Sequence, residues 1–88
     1  MVIRENENVM VELGDRVKVE NPVELQLKLN QLGQRIADKI PAGYTVKIVR
    51  DGQFSFLLGI LSQRNIVEQQ FGIQWNPVSK FVTWAAVL

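Results

Sequence analysis

The chain has 88 residues, with 10 basic and 9 acidic side chains, 47% hydrophobic residues, no histidine and no cysteine. That length suits one small domain, which buries about 60–65% of the surface its unfolded chain exposes. The missing residue types exclude Ser-His-Asp and Cys-His nucleophiles, zinc fingers, the usual haem and iron–sulfur ligation, and disulfide staples.

Met1 to Asn8 lacks a basic region followed by a long apolar stretch, so no secretory signal is expected. A cysteine-free chain suits a reducing compartment, and a cytoplasmic location is the expectation. The longest apolar runs, Phe56–Leu61 and Phe81–Leu88, are far shorter than the ~20 residues that span a bilayer, so no membrane partner is expected.

Val9, Val11 and Leu13 alternate with polar residues, Gly14-Asp15 follows, and Val17 and Val19 resume the alternation. This pattern predicts an N-terminal β-hairpin with a two-residue turn. Asn21-Pro22 with Glu24 then reads as a helix start, with Asn21 as N-cap, Pro22 at the first helical position and an acid in the first turn. Leu25, Leu29, Leu32, Ile36 and Ile40 recur at steps of three and four, which places them on one helical face. Pro41-Ala42-Gly43 supplies the stop. Val23, Leu25, Leu27 and Leu29 also alternate as a strand would, but the Leu, Gln, Glu and Lys content favours helix.

Tyr44 to Arg50 reads as a strand, and Asp51-Gly52 is the strongest hairpin signal in the chain. Phe54 to Leu61 forms the return. Ser62 to Asn65 is a turn, Ile66 to Trp75 a third strand, Asn76-Pro77-Val78-Ser79 a type I turn, and Phe81 to Leu88 a fourth strand. A helix over Ile66 to Phe71 is the competing reading, disfavoured by Gly72 and the β-favouring Phe81-Val82-Thr83-Trp84. The fold expected is α+β: an N-terminal hairpin, one amphipathic helix, then an antiparallel meander of three to four strands.

A two-residue turn at Asp51-Gly52 sets Val49 opposite Phe54 and Lys47 opposite Phe56, and opposed residues share a sheet face. Tyr44, Val46, Ile48, Leu57 and Leu61 then line one face, and Val49, Phe54, Phe56, Leu58 and Ile60 the other. One helix covers one face. The second must be covered by the N-terminal hairpin or by another copy, and a twofold oligomer is the commonest solution. Val49, Phe54, Phe56, Leu58, Ile60 and Trp84 are therefore the expected interface of a homodimer or higher oligomer.

Charge is uneven along the chain. Residues 1–24 hold six acids against three bases, and residues 25–88 hold seven bases against three acids. Lys28, Arg35 and Lys39 fall on one flank of the helix, and with Lys47, Arg50 and Arg64 they could track phosphates of a nucleic acid. The alternative is that their stems cover the edge of the core while the charges stay in water. Trp75, Trp84, Phe71 and Phe81 sit among apolar neighbours, as core or interface anchors do. Asp38, Asp51 and Glu68 are the conventional acid–base candidates of that half, each with a helix, turn or strand role of its own. No two glycines are close enough for a phosphate-cradling loop, so no nucleotide cofactor is expected, and with so few catalytic groups in the chain no enzymatic activity is expected. The function expected is a non-catalytic protein–protein interaction module, a small structural or regulatory accessory protein that self-associates through an apolar sheet face.

Overall fold

In a computed structural model, which describes residues 17–87, helix α1 spans Pro22–Ala37. Asn21 caps it, its Oδ1 accepting from the Glu24 N–H at 2.9 Å, while the Glu24 carboxylate accepts from the Glu20 N–H at 3.1 Å. Two backbone donors outside the helical ladder are thus satisfied by two side chains. The helix closes ahead of Pro41, where the N–H groups of Lys39 and Ile40 both turn back onto the Ile36 carbonyl at 2.9 and 3.1 Å. Leu25, Leu29, Leu32 and Ile36 are buried along one stripe, and Ile40 packs against the core from beyond the helix end. The competing strand alternation is overridden, since Leu25 and Leu29 are buried and Val23 and Leu27 face out.

Four strands follow the helix: β1 Thr45–Arg50, β2 Ser55–Leu61, β3 Val67–Trp75 and β4 Val82–Ala86. They form one antiparallel sheet in the order β1-β2-β3-β4. The chain is an α+β protein. The first limb and turn of the expected N-terminal hairpin, residues 9–16, lie outside the described residues, and all the described strands follow the helix. Val17 to Val19 runs beside the start of β4. There Lys18 bridges Phe81, the Val19 N–H donates to the Lys80 carbonyl at 2.9 Å, and the Val82 N–H donates to the Val17 carbonyl at 3.0 Å.

The turn at Asp51-Gly52 is longer than expected, and this changes the sheet. Arg50 pairs with Phe56, Val49 with Leu57, Ile48 with Leu58 and Val46 with Ile60. The Asp51 N–H reaches the Ser55 carbonyl at 2.9 Å, and Arg50 holds the loop through the Gly52 and Gln53 carbonyls at 3.2 and 2.6 Å. A two-residue turn would have placed Arg50 opposite Gln53, so the partner has moved by three positions. An odd displacement exchanges the faces of one strand relative to the other. Val46 and Ile48 therefore share a face with Phe56, Leu58 and Ile60, and this combined surface is the one that packs beneath α1.

The core continues across β3 and β4. Phe71, Ile73 and Trp75 face the same side as Phe56 and Leu58, and Val82 and Trp84 extend it. Phe71 meets Trp84 edge to face at 5.6 Å between ring centroids, and Phe54 meets Trp75 in the same manner at 5.4 Å. Such edge-on contacts place a positive ring edge on a negative ring face. The connection from β3 to β4 is closed by Asn76, whose Oδ1 accepts from Val78 and Ser79 N–H groups at 2.8 and 3.0 Å.

Candidate interaction surface

Because α1 takes one side of the sheet, the surfaces left for a partner among the described residues are the other side and the β1 edge. The cross-strand register builds three rows on the helix-free face. The middle row runs Val49, Leu57, Gly72, Ala85. It is apolar throughout and is lowered at its centre by a residue without a side chain. One flanking row runs Asp51, Ser55, Gln74, Thr83, and the other Lys47, Gly59, Gln70, Val87. An open depression of about 480 Å³ lies over Gly72, bordered by Asp51, Leu57, Gln74, Thr83 and Ala85. The face is thus an apolar strip with a polar margin carrying Asp51 on one side and, on the other, a mixed margin in which Lys47 and Gln70 alternate with Gly59 and the exposed Val87.

Only part of the expected interface lies there. Val49 does, at 43% exposure. Phe56, Leu58 and Ile60 do not: they are the interior of the chain, at 1% exposure or less, beneath Leu25, Leu29 and Ile36. The change of turn length is the physical reason, because it moved the whole apolar side of β2 under the helix. Phe54 is half-buried against Trp75, and Trp84 is half-buried against Phe71 on the helix side. Leu57, Gly72 and Ala85 were not singled out by the sequence. Gly72 and Ala85 are small, and Leu57 was assigned to the face that the expected register would have covered.

The basic residues do not assemble into one track. Lys28 and Arg35 lie on α1, Lys39 in the turn just beyond its end, Lys47 projects from the opposite side of the sheet, and Arg64 sits in the β2–β3 turn. The Arg50 guanidinium is engaged by its own loop and lies 5.8 Å over the Phe56 ring. Among the described residues no group of three or more acidic side chains is placed to hold a metal ion, and no helix is long and apolar enough to cross a membrane. Glu20 and Lys80 form an ion pair at 2.8 Å. The hydrogen bond and positive charge of Lys80 hold the Glu20 carboxyl below its ordinary pKa. Both side chains are well exposed, so the pair is an ordinary surface contact rather than an acid–base device.

Compared with protein-family models, curated proteins and solved structures, the chain gives no match.

Proposed function

We propose that the protein is a non-catalytic protein–protein interaction module, a small structural or regulatory accessory protein whose copies stack through their helix-free sheet faces. The observation that carries this reading is the row Val49, Leu57, Gly72, Ala85 with Lys47 and Asp51 on its two sides. A twofold axis parallel to that row lays one middle row on the other and exchanges the margins. Lys47 of one copy then meets Asp51 of the next, so the same patch serves both partners, as a twofold interface requires. Sheets stacked in this way stand about 10 Å apart with side chains between them.

Light scattering after size exclusion tests the reading. Val49→Asp combined with Ala85→Asp puts charge on exposed positions of the row, so the fold survives by circular dichroism while the molar mass of the assembly falls by half. An apolar strip also predicts a mass insensitive to salt, in contrast to phosphate binding. A wild-type mass unchanged by the double substitution at every concentration would refute the stacking.

A further inference from the structure

The sheet has two edges, and they are unlike. The β4 edge is joined at its start by Val17 to Val19, whereas β1 ends the sheet with no described strand on its outer side. An antiparallel ladder alternates residues that bond inward with residues whose N–H and C=O point outward. The Asp51 N–H bonds inward to Ser55, so Val49, Lys47 and Thr45 also bond to β2, and the groups left pointing outward belong to Val46, Ile48 and Arg50. Exposed backbone of this kind is a template for another strand.

Helix α1 carries a matching feature. Besides the buried stripe, Val23, Leu27, Asn30, Gln34 and Ala37 follow one another at steps of four, three, four and three. That is the spacing of a helix–helix seam. All five are exposed, Val23 at 68% and Leu27 at 58%. Asn30, Gln34 and Ala37 line the groove of about 340 Å³ that runs beside β1, together with Gly33, Thr45, Val46 and Ile48. Gly33 brings the two elements close, since a Cβ there would stand 3.0 Å from the Ile48 side-chain terminus. The open strand edge and the open helix seam therefore lie on the same side of the molecule.

We infer that a second copy of this chain docks on this side, β1 pairing antiparallel with β1 of the partner about a twofold axis at Ile48 while the two helices pack along their seams. The strand is self-complementary in this register. Ile48 meets Ile48 of the partner subunit, Val46 meets the partner's Arg50, and all three outward-facing residues are hydrogen-bonded. Lys47 falls opposite the partner's Val49. Sliding the pair so that Val46 meets the partner's Ile48 sets Lys47 against Lys47, and sliding it the other way leaves Val46 without a strand partner. Because the axis stands perpendicular to the sheet, both helices lie on one face and run antiparallel. The axis passes near Gly33, so Asn30 and Gln34 can exchange amide hydrogen bonds across it. This contact uses a different side of the molecule from the stacking proposed above, and either can form without the other.

The absence of native cysteine makes the register directly readable. Non-hydrogen-bonded antiparallel neighbours have Cα atoms about 4.5 Å apart, within disulfide reach. Chains carrying Lys47→Cys are mixed with chains carrying Val49→Cys and mildly oxidised, in the Ala85→Asp background so that stacking does not contribute. The expected result is a cross-linked species of about 20 kDa, twice the 10.0 kDa chain, in the mixture but not in either variant alone. Cross-linking of Lys47→Cys alone or of Val49→Cys alone would overturn the register, and no cross-link in any sample would overturn the edge contact. Leu27→Glu with Ala37→Glu, two exposed seam positions that meet across the axis, should halve the assembly mass while preserving helicity. A mass unchanged by that pair would remove the helix seam. Failure of the face stacking is read separately, from Val49→Asp with Ala85→Asp.

Discussion

Trp75 and Val19 stand 56 positions apart, and the Trp75 indole N–H donates to the Val19 carbonyl at 2.7 Å in a buried setting. The bond ties the segment that leads into α1 to the last residue of β3, across the opening between helix and sheet. Trp75→Phe keeps most of the apolar volume but leaves the carbonyl without this donor, which costs about 1–3 kcal/mol. For a domain of this size each kcal/mol is worth about 4–8 °C in Tm. A thermal melt of Trp75→Phe within a degree of wild type would show that the carbonyl is satisfied in another way.

Asn21 starts the helix through one side-chain acceptor. Asn21→Ala should lower stability by about 1 kcal/mol in urea unfolding, and Asn21→Asp, which keeps the acceptor and adds favourable charge at the helix start, should lower it by much less. Equal losses in the two variants would mean that the amide group matters for something other than the cap.

Gly43 adopts φ +92, and a Cβ there would collide with the Gln63 side chain, whose amide donates to the Ala42 carbonyl at 3.3 Å. Gly43→Ala therefore suffers twice, from backbone strain and from contact, and should lose at least about 1 kcal/mol. Adding Gln63→Ala removes the contact and leaves the strain. Partial recovery in the double variant separates the two costs; full recovery would show that the backbone conformation carries none.

The Glu20 carboxyl is held below its ordinary value by the Lys80 ammonium. A carboxyl whose folded pKa is depressed contributes stability that is present above its unfolded pKa, and the contribution disappears as pH falls through the folded value. Here the window runs downward from the ordinary carboxylate range to the lowered value of the folded protein. In a carboxyl-observed NMR titration, Lys80→Met should move the Glu20 midpoint upward. No movement would mean that the ion pair is not maintained in solution.

The parts of the fold legible in the sequence are those decided within a few neighbouring residues. The Asn21 cap, the Leu25, Leu29, Leu32, Ile36 stripe and the loops at Ser62–Asn65 and Asn76–Ser79 follow from side-chain chemistry and spacing at close range. The alternation in Val67–Trp75 and the β-favouring residues of Val82–Ala86 likewise gave strands near their expected positions. Of the N-terminal alternation only Val17 to Glu20 lies within the described residues, and there Val17 and Val19 bond to Val82 and Lys80 at the start of the fourth strand.

The side of the sheet to which β2 belongs was decided only in three dimensions. Asp51-Gly52 favours a tight turn by an amount comparable to a single local interaction. Against it stand Phe56, Leu58 and Ile60, each worth about 1.5–3 kcal/mol when fully buried. Only the longer loop lets all three join Val46 and Ile48 beneath the helix, so burial overrode the turn preference. That same displacement carried three expected interface residues into the core and brought Val49, Leu57, Gly72 and Ala85 into one row. By itself the sequence determined which segments are helix and strand, because those choices are local; register and the identity of the open face emerged from the tertiary structure, because they depend on total buried apolar surface.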